Sequence, residues 1–193
     1  MNPAAELDQP HRRSIRLPSY DYGREGAYFV TISTKDHACL FGDVVDDDIR
    51  LNEYGRVAEQ SWLRIPDHFP LATLDAVIVM PNHLHGIIVL AGANHHSPLL
   101  PLRPATPFRS PSNTIGSIVR SFKIGVTKWF RQNTNISDVW QRNYYEHVIW
   151  ERDSLNRVRR YIETNPRFWA LDRENPVGWP EDYPHTGVDM PFL

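Results

Sequence analysis

The sequence predicts an α+β domain, a ferredoxin-like antiparallel sheet with helices packed mainly on one face. Strand-type runs rich in β-branched and aromatic residues occur at 27–34, 74–80 and 83–90. Apolar residues at helical spacing occupy stretches between and after them. The resulting order is strand, hairpin, helix, two strands, helix and helix, which suits a sheet backed by helices.

The elements follow in turn. An arm carrying Arg12, Arg13 and Arg16 before Pro18 is expected to be extended and leads through Gly23 and Gly26 into the strand Ala27–Thr34, AYFVTIST. Val44-Val45 and Ile49-Arg50-Leu51 alternate around Asp46-Asp47-Asp48 as a short hairpin would. Asn52 can cap a helix bearing Val57, Ala58, Trp62, Leu63 and Ile65, ending at Pro66. LDAVIVM and HLHGIIVL read as adjacent buried strands joined at Pro81-Asn82. Residues 91–112, with five prolines, read as a flexible surface linker. Asn113 is expected to cap a helix with Ile115, Ile118, Val119, Phe122, Val126, Trp129 and Phe130 on one face. Asp153 or Ser154 begins a last helix ending near Pro166. The chain thus divides into a basic N-terminal arm, 1–26, a globular unit, 27–170, and an irregular C-terminal tail, 171–193.

Composition bounds the function. At 193 residues, 41% hydrophobic and 23% charged, the chain is an ordinary globular protein of one domain. No run approaches the roughly 20 apolar residues of a membrane span, and the polar start lacks a signal-peptide core, so a cytoplasmic location is expected. The single cysteine, Cys39, excludes a cysteine-based zinc site. The net charge of -2 conceals an asymmetry: no Asp or Glu lies between Asp75 and Asp138, where Arg120, Lys123 and Lys128 fall. Such a segment suits phosphate contacts, and it also suits a solvated helix face balanced by the acidic trio.

The chemistry centres on His83-Leu84-His85. Alternate strand residues share a face, so the two imidazoles project together and can make two ligands for a first-row divalent metal, with oxygen donors completing the site. The same spacing suits two metal-free histidines on a polar sheet face. Tyr161 and Asn165, four residues apart, share a helix face. The Asn165 amide oxygen could join His83 and His85 on the metal while Tyr161 attacks a phosphorus. Equally, Tyr161 suits a boundary aromatic and Asn165 a helix end before proline. Tyr144 and Tyr145 are rival nucleophiles that could instead pack or stack on bases.

Four blocks, RRSIRLPSYDYGREGAYFVTIST, VIVMPNHLHGIIVL, VWQRNYYEHVIW and RVRRYIETNPRFW, occur in an order that resembles the single-tyrosine HUH transposases, and within them the REP-associated tyrosine transposases of the IS200-like type. The resemblance implies an HUH nuclease domain over 27–170. It implies a divalent cation, Mn2+ or Mg2+, on His83, His85 and Asn165, and Tyr161 as a nucleophile forming a 5′-phosphotyrosine on single-stranded DNA beside a hairpin. It further implies DNA contacts from Arg12, Arg13, Arg16, Arg120, Lys123 and Lys128, in a monomer or homodimer. Three other readings stand beside it: a hairpin-binding regulator without turnover, a metal hydrolase that activates water, and a purely structural domain.

Overall fold

The computed structural model describes residues 25–91 and 113–176. The arm with Arg12, Arg13 and Arg16, nearly all of the Pro-rich segment and residues 177–193 lie outside the described residues. In chain order the elements are β1 (Gly26–Ser33), β2 (Gly42–Val45), β3 (Asp48–Leu51), α1 (Glu53–Leu63), α2 (Ile65–His68), β4 (Ala72–Val79), β5 (His83–Leu90), α3 (Ile115–Asn133), β6 (Tyr145–Ile149) and α4 (Arg152–Thr164). Short 3-10 segments occupy Lys35–His37 and Asn165–Leu171.

The main sheet is antiparallel with order β4-β5-β1-β6, and α1 and α3 lie in its two crossovers, the βαββαβ arrangement of ferredoxin-like domains. The expected fold class is therefore the observed one. β2 and β3 form a separate hairpin. Its two turn residues, Asp46 and Asp47, have φ of 54° and 64°, as a two-residue turn matched to strand twist requires.

Strand alternation sorts the sheet into two unlike faces. On one, Tyr28, Val30 and Ile32 of β1 join Leu84 and Ile88 of β5 beneath Trp62, Phe122 and Phe130, so that α1, α2 and α3 cover it. On the other, Phe29, Ile87 and Ile149 meet Val158 and Ile162, so that α4 packs against it. Fully burying an aliphatic side chain of this size contributes about 1.5–3 kcal/mol, and Val158 and Ile162 are the two fully buried anchors of α4. The strand register continues this second face past Phe29 and Ile87 into polar residues, pairing Thr31 with His85 and Ser33 with His83.

Helix starts follow local hydrogen bonding. Asn52 caps α1, its side chain accepting from Gly55 N at 3.0 Å. Thr114, one residue past the expected Asn113, caps α3 in a reciprocal pair with Ser117. α4 begins at Arg152 with no side-chain cap, slightly before the expected Asp153 or Ser154. The fourth sheet strand, β6, was not foreseen: Glu146 and His147 interrupt its apolar character, and pairing along β1 supplies what intrinsic pattern lacks. Among the described residues no helix is long and apolar enough to cross a membrane.

Gly86 ties the two faces together. It lies between His85 and Ile87 on β5, and a Cβ there would stand 2.3 Å from Trp62 Cζ2 on the α1 side. Trp62 is fully buried and has no room to withdraw. Gly86→Ala should therefore destabilise the fold by about 1–3 kcal/mol through overpacking, read as a lower urea midpoint with an unchanged slope.

Candidate active site

His83 and His85 sit side by side on β5 under α4, both buried, with Nε2 atoms 3.0 Å apart. Each ring is held from behind. His83 Nδ1 lies 2.9 Å from Asn82 Oδ1, and His85 Nδ1 lies 2.9 Å from Thr31 Oγ1. Burial, with the neighbouring His37 acting in the same direction, pushes the His83 imidazole down to about 3. Burial and the adjacent His83 also hold His85 well below its ordinary value, against the pull of Asp172. Both rings are therefore neutral at physiological pH, the form that offers a lone pair to a cation.

Asp172 completes the cluster. Its carboxylate oxygen stands 3.8 Å from His83 Nε2, and one ligand atom from each of His83, His85 and Asp172 falls within 4.8 Å of the others. This residue belongs to the stretch expected to be an irregular tail, and no periodicity marked it. The 3-10 segment Asn165–Leu171 turns the chain back and delivers it. Asn165, the donor expected from the sequence, is buried beside the cluster. Its Nδ2 donates to Asp172 Oδ2 at 3.0 Å, while its Oδ1 makes no hydrogen bond.

Tyr161 faces His85, with its hydroxyl 3.3 Å from Nε2. Burial is the largest influence raising its phenol above the ordinary value, and the carboxylates of Asp172 and Glu174 add to it. The rival tyrosines are elsewhere. Tyr144 donates to Glu146 Oε2 at 2.8 Å and packs on the α1–α3 side. Tyr145 shares the site's face but lies on β6, with Phe29 between it and His85. His147 lies on the same strand, paired with Phe29.

The basic residues of α3 sit on the helical layer opposite this site. Arg120 and Lys128 are exposed there. Lys123, expected to contact DNA, has a role within the fold: its Nζ donates to the carbonyls of Gln141 and Asn143, each at 2.7 Å, fastening the approach to β6. Burial lowers its ammonium to about 8. Charge spacing in the sequence could not separate a free lysine from one tied to backbone.

No protein-family model matches the chain. An uncharacterised protein of Haemophilus influenzae is 47% identical over 166 residues, covering 84% of this chain and 92% of its own. A second Haemophilus influenzae protein, assigned as a REP-associated tyrosine transposase, is 24% identical over 146 residues, 76% of this chain and 73% of its own. A solved REP-associated tyrosine transposase bound to a REP hairpin has the same fold, with a TM-score of 0.55 at 18% identity over 79% of this chain and 73% of that one. The chain is a distant relative of the REP-associated tyrosine transposases.

In this relative of the IS200-like transposases, α4 is fastened to its own sheet. The Arg159 Nε and Nη2 donate to the two Asp75 oxygens at 2.7 and 2.6 Å, beside the β4 irregularity between Leu74 and Val77. Arg159 is two residues before Tyr161, so the fork sets the rotation of the helix that carries the phenol. The Arg159 hydrogen bond is the main influence holding the Asp75 carboxyl below its usual range, with Ala76 N assisting against burial.

A depressed folded value means that this stabilisation is present above the unfolded carboxyl value, about 3.9, and is lost as pH falls through the folded one. Thermal unfolding should place Asp75→Asn below the parent at neutral pH, with the two converging below about pH 4. A gap that persists unchanged into acid would assign the loss to packing.

Proposed function

We propose that the protein is a single-strand DNA endonuclease or transposase that cleaves and rejoins DNA next to hairpins through Tyr161. The observation that carries this reading is the Tyr161 hydroxyl 3.3 Å from His85 Nε2, over a buried cluster of two neutral imidazoles and a carboxylate. The distant relation to REP-associated tyrosine transposases supports it, as does the hairpin bound by the solved relative.

The donors fit a divalent cation. His83 and His85 would supply nitrogen and Asp172 oxygen, and Asn165 Oδ1, buried without a hydrogen bond, is a further oxygen beside them. Two imidazoles with oxygen donors suit Mn2+ first, with Mg2+ the harder alternative. When bound, the cation would supply Lewis-acid polarisation of a phosphodiester oxygen and positive charge beside the phenol.

The side chains divide the remaining work. Tyr161 provides the attacking oxygen. A phenol O–P bond forms, the P–O3′ bond breaks, and the phenolic proton is recovered on the departing 3′-hydroxyl, leaving a 5′-phosphotyrosine. The enclosure of Tyr161 by Phe29 and His85 keeps water from competing for the phosphorus. The Asp75–Arg159 fork holds the attacking group over its own chain's histidines, so a monomer has the whole constellation. Arg12, Arg13 and Arg16 of the arm, with Arg120 and Lys128 behind the sheet, are assigned to phosphates of the hairpin stem; Lys123 acts on the fold.

The test uses a single-stranded hairpin oligonucleotide with Mn2+, read on a denaturing gel. The parent should form a covalent protein–DNA adduct, and Tyr161→Phe should fall to background while still binding the hairpin. Cleavage without an adduct in the parent would instead mean that water attacks, and an adduct in Tyr161→Phe would mean another nucleophile. Separately, Mn2+ at about 100 times its Kd should stabilise the parent by about 2.7 kcal/mol, measured by thermal shift, and His85→Ala should remove that rise.

A further inference from the structure

Histidines that hold a cation must each keep a lone pair on the nitrogen facing it and carry the proton on the other. Counting donors and acceptors around His83 decides which nitrogen is which. Asn82 is fully buried. Its Nδ2 donates to two carbonyl oxygens, that of His37 at 3.0 Å and that of Glu174. Carbonyls only accept, so the amide is fixed in one orientation and the atom facing His83 Nδ1 at 2.9 Å is oxygen. An amide oxygen also only accepts, and His83 must therefore donate from Nδ1. Its Nε2 keeps the lone pair, directed toward His85 and Asp172.

We propose that Asn82 is a positioning residue that imposes one tautomer and one ring orientation on His83 for cation binding. This rests on the reading of the cluster as a metal centre. Residues behind a ligating histidine that fix its tautomer typically govern metal affinity by 10–100-fold.

The surroundings support a dedicated device. Four non-glycine residues among those described have positive φ. Asp46 and Asp47 are explained by the hairpin turn, whereas Asp36 and His37, both at 53°, make no hairpin. Left-handed conformations of this kind cost about 1 kcal/mol or more and persist where neighbouring structure demands them. Here they turn the His37 carbonyl to Asn82, while the main chain of Asn82 in turn accepts from Thr34 N at 2.8 Å. Glu174, besides lending its carbonyl, accepts from Ser33 Oγ, and His37 Nδ1 lies 3.2 Å from its carboxylate. Three separate stretches of chain thus meet at one amide.

His85 is treated differently. Its Nδ1 faces Thr31 Oγ1, a hydroxyl that can donate or accept by rotating. Asn82 dictates the protonation pattern of His83, whereas Thr31 accommodates either pattern in His85.

Long-range proton–nitrogen NMR on the chelator-treated, full-length protein reads the tautomer without any variant. His83 should carry its proton on Nδ1. Asn82→Ala should give mixed tautomers at His83 and weaken Mn2+ binding 10–100-fold by calorimetry. Asn82→Asp, which still offers His83 an acceptor, should keep the Nδ1–H form. His83 protonated at Nε2 in the parent would overturn the proposal, as would a folded Asn82→Ala that binds Mn2+ like the parent. A parent that binds no Mn2+ would overturn the metal reading and the affinity claim with it, whatever tautomer His83 shows.

Discussion

Two uncharged imidazoles buried in contact are the constraint from which the rest of this molecule follows. A polar ring without water must find every partner within the protein, or its burial costs about 1–3 kcal/mol. The structure meets that demand by strand pairing. β1 lies against β5 in a register that puts Thr31 beside His85, and the turn before β5 supplies Asn82 to His83. The opposite face of the same strands is largely apolar, with Val30, Ile32, Leu84 and Ile88 in the core, so the sheet can be anchored there while its other face holds polar groups. Stability and chemistry are thus assigned to opposite sides of one layer.

The helix that carries Tyr161 is attached by two different kinds of force. Val158 and Ile162 seat α4 by apolar burial, which sets its distance from the sheet but only loosely its rotation. The Asp75–Arg159 fork is directional and fixes that rotation, because a planar guanidinium meets two carboxylate oxygens in one geometry. At the far end Asn165 and Asp172 join the helix terminus to the cluster through a hydrogen bond. The phenol of Tyr161 is therefore located by a fork on one side and an amide on the other, within a single chain.

Much of this was legible in the sequence, for physical reasons that differ by residue. The period of two placed His83 and His85 together, and the period of 3.6 placed Tyr161 with Asn165, because both rest on fixed backbone geometry. The strands β1, β4 and β5 and the helices α1, α3 and α4 announced themselves by apolar repetition. β6 did not, since its stability comes from lying along β1 rather than from its own residues. Asp172 was hidden because a turn after a helix carries no period, and its nearness to His83 arises only when the chain folds back. Asn82 reads as a turn former and Lys123 as part of a basic helix face; the carbonyls that each side chain donates to are set by segments distant in the chain. Hydrogen-bond partners across the fold are the least sequence-visible part of a site.

The contact between Gly86 and Trp62 carries a consequence for how this protein can change over generations. An indole occupies the space that a side chain next to His85 on the histidine strand would need. Drift at 86 is then closed while tryptophan remains at 62, and opens only where a smaller residue has first appeared there. The two positions should exchange as a pair among descendants, large with glycine and small with alanine. A substitution beside His85 thus depends on the residue that fills the apolar layer behind it.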